Sequence, residues 1–379
     1  MTAVWLCPDA VFDGDVLRQN MALRVANGIV TDLRPVADLP VGAETRTLSG
    51  TVTPGFVDLQ VNGGGGVLFN QTPTLAGIKA IIAAHRGLGT VALMPTVITD
   101  APEVLARAAD AAIAAKDTPG FAGLHIEGPH IAFARRGTHA AEFVRPLDDM
   151  TMNLVAGLRQ RGIAVMITLA PEAATTAQIK ALAATGAIVS LGHTDATAAE
   201  ADAAFAAGAR AVTHLFNAMS QMQGRAPGVV GAAINSTALV GVICDGVHVD
   251  DAMLALAIRA RPVPDRMFLV SDAMPTVGGP DHFQLYGQDI RVRNGRLINA
   301  EGNLAGAHVT QAEGVARLIK HIGISAQDAL RMAITNPAAL IGADDLQQIK
   351  GRHASDLIVL DPDWALMGPL SIITGRDIA

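Results

Sequence analysis

Aromatic residues are scarce in this chain, at 3% of 379 residues, with one tyrosine and two tryptophans. That excludes a stacking platform for single-stranded nucleic acid as the main design, because such surfaces need aromatic faces for successive bases. Basic charge is also short: 28 Lys and Arg stand against 35 Asp and Glu, the net charge is −7, and no basic block occurs. No nucleic-acid partner is expected. An anionic small molecule stays compatible if a few cations meet it locally. The two cysteines, Cys7 and Cys244, form no CxxC pair and no framework, so a reducing, cytoplasmic setting is expected. No apolar run reaches the roughly 18 residues of a membrane span, and no membrane partner is expected. Met1–Leu17 has no basic stretch and is interrupted by Asp9, Asp13 and Asp15, so no export signal is read there.

What the chain does have is apolar mass. Hydrophobic residues make up 50% of it and charged residues 17%, enough to bury a large core and to exclude overall disorder. Residues 1–53 contain short β-prone runs split by turns such as Asn27-Gly28, and Ser355–Leu360 repeats that texture. Between them, apolar runs alternate with Ala-rich helical stretches such as Thr74–Gly87 and Ala101–Ala115. The runs are Gly55–Val61, Val91–Thr96, Gly123–Glu127, Ala164–Leu169, Ile188–His193, Ala211–His214, Val240–Asp245 and Met267–Asp272. This pattern predicts an α/β fold: a (β/α)8 TIM-like barrel over 54–345, with a β excursion near 275–305. Residues 1–53 plus 346–379 are expected to form a small β-sandwich domain from both chain termini. An open doubly wound sheet is the alternative, but no GxGxxG or GxxxxGK[ST] opens a helix. Gly63–Gly66 reads as a flexible turn more readily than as a phosphate loop.

Catalytic groups of a barrel gather at the C-terminal strand ends. Six such ends here carry His, Glu or Asp, within Asp58–Gly63, His125–Pro129, Gly192–Thr194, Thr213–Asn217, Cys244–His248 and Ser271–Ala273. Singly, each has a plain structural reading: a hydrogen-bonded core histidine, a turn carboxylate or a helix cap. His85 and His321 fall in helical patterns and His353 in the terminal β segment; these are read as structural, and His282 is left undecided. Glu127, His193, His214 and Asp272 together point to metal-dependent hydrolysis. Two imidazoles and a carboxylate can hold a divalent ion with one position open. A free carboxylate, Asp272, can then move the proton from water to a leaving amine.

These motifs occur in one order: Leu124–Pro129 (LHIEGP), Gly137-Thr138-His139, Gly192-His193-Thr194, His214–Met219 (HLFNAM), Asp245–Val249 and Ser271-Asp272-Ala273. In that order they resemble the N-acetylglucosamine-6-phosphate deacetylases of the amidohydrolase superfamily, over nearly the whole chain. The resemblance implies hydrolysis of N-acetyl-D-glucosamine 6-phosphate to D-glucosamine 6-phosphate and acetate, in amino-sugar catabolism or cell-wall sugar recycling. It implies Glu127, His193 and His214 as metal ligands and Asp272 as catalytic acid/base, with His139 also catalytic. Substrate contacts fall to Thr138, His139, Asn217, Ala218, Arg225 and His248, with Leu304, Ala305 and Gly306 as a closing loop. One divalent ion per subunit is implied, zinc first, with Fe(II), Mn(II) or Co(II) suited to the same donors. A homodimer is implied too, with Arg225 reaching the phosphate across the interface.

Many amidohydrolases carry His-x-His at the end of the first strand, whereas this chain has Asp58-Leu59-Gln60. A neutral amide is a poor ligand for a transition metal, so Gln60 marks only a weak second-metal position. Two rivals stand beside this reading. Another amidohydrolase, such as a dihydroorotase or nucleobase deaminase, disagrees with HLFNAM and the missing His-x-His. A non-catalytic sugar-phosphate sensor would have no need of Asp272.

Overall fold

A computed structural model describes residues 4–302 and 304–374. Eight strands line up in chain order in one parallel sheet. They are β1 (Phe56–Val61), β2 (Thr90–Ile98), β3 (Leu124–Glu127), β4 (Val165–Leu169), β5 (Ile188–Leu191), β6 (Ala211–Val212), β7 (Leu239–Val242) and β8 (Met267–Leu269). The nine residues of β2 are all buried. Strands covered on both faces read as near-continuous apolar runs for this reason.

The sheet closes between β8 and β1 through residues just past the strand ends. Asp272 N donates to Gln60 O at 3.0 Å, and Gly63 N to Ala273 O at 2.9 Å. The buried Asp58 carboxylate adds to the seam by accepting Ser271 N at 3.2 Å. Gly63–Gly66 belongs to the same closure: Gly65 N donates to Val277 O and Gly66 N to Pro275 O, both at 2.9 Å. These amides tie two loops together and are spent on that task. A Cβ at Gly63 would lie 2.3 Å from Val67 O, so the close approach requires glycine.

Helices cover the outside. Thr74 caps Leu75–Arg86, and Thr197 with Glu200 forms a capping box on Ala198–Ala206. Pro102–Ala115 lays Ala108, Ala109, Ala112 and Leu105 on the sheet. Small side chains let the helix approach closely, while each fully buried Leu or Ile of this layer adds about 1.5–3 kcal/mol. Inside the barrel, polar side chains pair with one another beneath the C-terminal mouth. His125 Nε2 lies 2.7 Å from Thr168 Oγ1, which lies 2.6 Å from Thr213 Oγ1, itself 2.7 Å from Ser190 Oγ. Burial pushes the His125 imidazole down to about 4, so it serves this layer as a neutral ring.

The two chain ends meet in one seven-stranded sheet. Thr45–Pro54 runs parallel to Trp5–Phe12 on one side and antiparallel to Leu357–Leu360 on the other. Leu6, Leu23, Val52, Leu357, Val359 and Leu370 make a core of its own. The excursion forms an antiparallel sheet of His282–Leu285, Gln288–Arg293 and Arg296–Ile298. Its Phe283, Leu285 and Ile290 pack with Leu68, Ile98 and Met274, which seats it beside the barrel mouth. Among the described residues, no helix is long and apolar enough to cross a membrane.

Four barrel strands, β5 to β8, end earlier than the apolar runs do. His193, His214 and Asp272 lie beyond the last ladder residues, with φ of 47°, 31° and 51°. Left-handed backbone takes each residue out of the sheet, and each of these side chains enters a cavity at the C-terminal mouth of the barrel.

Candidate active site

A cavity of about 210 Å³ opens at the C-terminal ends of the strands. Glu127 enters it from the end of β3, His193 from beyond β5, His214 from beyond β6 and Asp272 from beyond β8. His139, on the loop after β3, and His248, on the loop after β7, complete the titratable lining.

Three of these groups meet at one point. Glu127 Oε1 lies 3.0 Å from His214 Nε2 and 3.2 Å from His193 Nε2. The two Nε2 atoms are 3.1 Å apart. His193 Nδ1 faces the Arg135 carbonyl at 2.9 Å, which needs the proton on Nδ1 and leaves a lone pair on Nε2. Two imidazole nitrogens and a carboxylate oxygen thus face one another, and a single proton on His214 satisfies only part of that set. A divalent cation would satisfy all of it, so the donor set fits a metal. The donor atoms of Glu127, His139 and His193 also lie within 4.8 Å of one another. Burial alone would raise the Glu127 carboxyl, but its two imidazole neighbours, His193 and His214, outweigh it and hold Glu127 well below the usual carboxylate range. The same partnership raises His214 against the opposing effect of burial.

Asp272 is set apart from this group by two amides. Its Oδ1 accepts Asn62 Nδ2 at 2.7 Å and Gln60 Nε2 at 3.1 Å. Gln60 Nε2 also donates to Glu127 Oε1 at 3.0 Å, bridging the two carboxylates. Burial and then the charge of Glu127 push Asp272 up to about 6. A carboxyl in that range can both take and return a proton near neutral pH.

His139 Nδ1 lies 2.7 Å from Thr99 Oγ1. Burial and then the neighbouring His193 push this imidazole down to about 3, so it is neutral. His248 Nδ1 pairs with Asp245 Oδ2 at 2.7 Å, and Asp245 Oδ1 accepts the His248 backbone amide at 2.9 Å.

Thr138, Asn217, Ala218, Leu304 and Gly306 also line the cavity. Ala305 does not: it is fully buried in the core of the excursion sheet, and its amide donates to Leu297 O. Its side chain packs with Met274 and Leu297 in that core, while Leu304 and Gly306 on either side line the cavity. Arg225 is exposed and lies outside this cavity of its own chain. The amide of Asn217 donates to the carbonyls of His214 and Leu215, leaving its oxygen for the cavity. His85, His282, His321 and His353 stand outside the lining. His85 is a buried structural residue bonded to Gly63 O at 2.9 Å, and His282 is exposed beside Asp281.

Three residues that sequence reasoning gave no role hold functional groups here: Asn62, Thr99 and Asp245. Asp245 carries a sequence signal, since a carboxylate three residues before His248 can reach its ring. Thr99 carries none.

Residues 51–376 match the Amidohydrolase family. An N-acetylgalactosamine-6-phosphate deacetylase of Shewanella sp. (strain ANA-3) is 39% identical over 359 residues, covering 93% of this chain and 90% of the relative. An N-acetylglucosamine-6-phosphate deacetylase of Haemophilus influenzae is 32% identical, covering 96% and 95%. The crystal structure of N-acetylglucosamine-6-phosphate deacetylase from Pasteurella multocida superposes with a TM-score of 0.88 at 32% identity, covering 97% of each chain.

Proposed function

The chain belongs to the amidohydrolase family, and on that premise we propose that it deacetylates N-acetyl-D-glucosamine 6-phosphate, releasing acetate and D-glucosamine 6-phosphate. One observation carries this reading. Glu127 Oε1, His193 Nε2 and His214 Nε2 lie within 3.2 Å of one another, beside a buried Asp272 held by two amides.

Glu127, His193 and His214 are the ligands of one divalent ion per chain, zinc being the first choice for this donor set and Fe(II), Mn(II) or Co(II) the others. When bound, such an ion activates water and polarises the acetyl carbonyl. Asp272 takes a proton from the attacking water as the new C–O bond forms. It then gives that proton to the sugar nitrogen as the C–N bond breaks, leaving a free amine and acetic acid, which ionises to acetate in solution. His139 donates to the carbonyl oxygen as negative charge develops there. Gln60, with its amide hydrogens directed to Glu127 and Asp272, holds the two carboxylates and takes no second ion.

Thr138, Asn217, the Ala218 main chain and His248 meet the sugar, under Leu304 and Gly306. Arg225 binds the 6-phosphate with its planar fork and does so across the interface of a homodimer. Its exposure outside its own chain's cavity supports that placement. A cytoplasmic setting is supported by Cys7 and Cys244 being free thiols.

A second substrate is favoured by the names of the relatives. The relative at 39% identity is named for the galacto sugar phosphate and the one at 32% for the gluco sugar phosphate. The two substrates differ at one hydroxyl, so acetate release from both, with and without a chelator, tests the reaction and ranks the epimers.

A further inference from the structure

Thr99 follows β2 and is fully buried. Its Oγ1 lies 2.7 Å from Nδ1 of His139 and 3.5 Å from the Glu127 carbonyl. Its own carbonyl accepts the hydroxyl of Tyr286, at the tip of the excursion sheet, at 2.5 Å. This residue is thereby held from both sides of the barrel mouth. We propose that Thr99 is a positioning residue: its hydroxyl donates to His139 Nδ1, fixes the Nε2–H tautomer, and so makes His139 a hydrogen-bond donor and not a metal ligand.

A threonine hydroxyl has one hydrogen, and a neutral imidazole has one N–H. If His139 Nδ1 donated to Thr99, the threonine hydrogen would be left with the Glu127 carbonyl at 3.5 Å, beyond the usual range for O–H···O. Among the described residues this hydroxyl has no other hydrogen bond. If Thr99 donates to Nδ1, the short contact takes the hydrogen and Nε2 carries its own. The consequence is selective. The ring of His139 stands 4.3 Å from that of His193, and its donor atom falls within 4.8 Å of those of Glu127 and His193. A bare Nε2 at that place would compete for the metal. A protonated one cannot coordinate, and it presents an N–H to the substrate carbonyl.

This inference rests on the deacetylase reading for what the N–H acts upon. Its test separates the two. The zinc-loaded enzyme, labelled with ¹⁵N-histidine, is compared as wild type, Thr99→Val and Thr99→Ser. The wild type should show His139 protonated at Nε2. Thr99→Val should populate the Nδ1–H form and lower kcat about 10–100-fold, since losing one oxyanion donor outright costs about 10²–10³. KM should stay within about 2-fold, as for an interaction made in the transition state, and Thr99→Ser should restore both signals. A wild-type Nδ1–H tautomer overturns the proposal whether or not Thr99→Val folds. So does a folded Thr99→Val enzyme with unchanged kcat. A wild type that holds Nε2–H but releases no acetate sinks the deacetylase reading and leaves the tautomer assignment intact.

Discussion

Asn62 Nδ2 lies 2.7 Å from Asp272 Oδ1, the same oxygen that accepts Gln60 at 3.1 Å. Two amide hydrogens on one oxygen fix the plane of the carboxyl. They leave Oδ2, which has no protein hydrogen bond among the described residues, as the oxygen that exchanges a proton with the reactants. Asp272 is thus oriented by neutral donors that favour its ionised form, inside a setting of burial and negative charge that disfavours it.

Asp272→Asn should keep the metal, since the residue stands outside the ligand set, and should lower kcat by about 10²–10⁴ through loss of acid/base transfer. It should also stabilise the metal-free protein. Asp272 is raised from 3.8 to about 6 in the fold, so its ionised form weakens the fold as pH climbs from 4 and does so fully above 6. The gain should reach at most about 3 kcal/mol at pH 7.5 and vanish at pH 4. Thermal melts at the two pH values check this.

Because Asp272 must be ionised to accept the first proton, kcat/KM should rise with pH through its pKa. A cation held at Glu127 opposes that residue's charge, so the limb in the metal-loaded enzyme should lie at or below about 6. Asn62→Leu removes a donor that favours the carboxylate. It should move the limb to higher pH by about 0.5–1 unit. A limb that does not move under that substitution would exclude Asn62 as the tuning partner.

Elemental analysis should find about one metal ion per chain, as the three-ligand set requires. Glu127→Gln should lose the ion. Gln60→His should add affinity for a second, because imidazole replaces an amide that serves as a donor. Two tightly held ions in the wild type would contradict the role given to Gln60.

Arg225→Ala should leave stability within about 0.5 kcal/mol, as for an exposed side chain with no hydrogen bond or ion pair among the described residues. It should cost about 2–5 kcal/mol in kcat/KM for the phosphorylated sugar and far less for the unphosphorylated one. Mixing Arg225→Ala with Asp272→Asn chains should restore activity if the sites are shared, because one site per mixed dimer then holds both residues. Silence in verified mixed dimers would place Arg225 within its own subunit.

The barrel and most of the site can be read from the sequence because period and position carry them. Apolar runs alternate with capped Ala-rich helices, and polar residues fall at the run ends. The ends themselves were less legible. His193, His214 and Asp272 look like strand residues by composition, yet left-handed backbone lifts each out of the ladder, and no residue type announces that. Leu59 packs with Met94, Met166 and Phe268, while the next residue, Gln60, reaches Glu127 and Asp272. The register shift between Asp58 and Val61 accommodates both, and bulges leave no mark in a single sequence. Thr99 and Tyr286 meet only because the excursion sheet leans over β2, a contact between distant segments.

The most direct measurement is acetate release by the purified enzyme from N-acetyl-D-glucosamine 6-phosphate and its galacto epimer, before and after chelation. Acetate and free amine should appear in equal amounts from at least one epimer, stop on removal of the metal, and return when zinc is added. A metal-replete, folded enzyme that releases acetate from neither sugar phosphate would contradict the deacetylase reading.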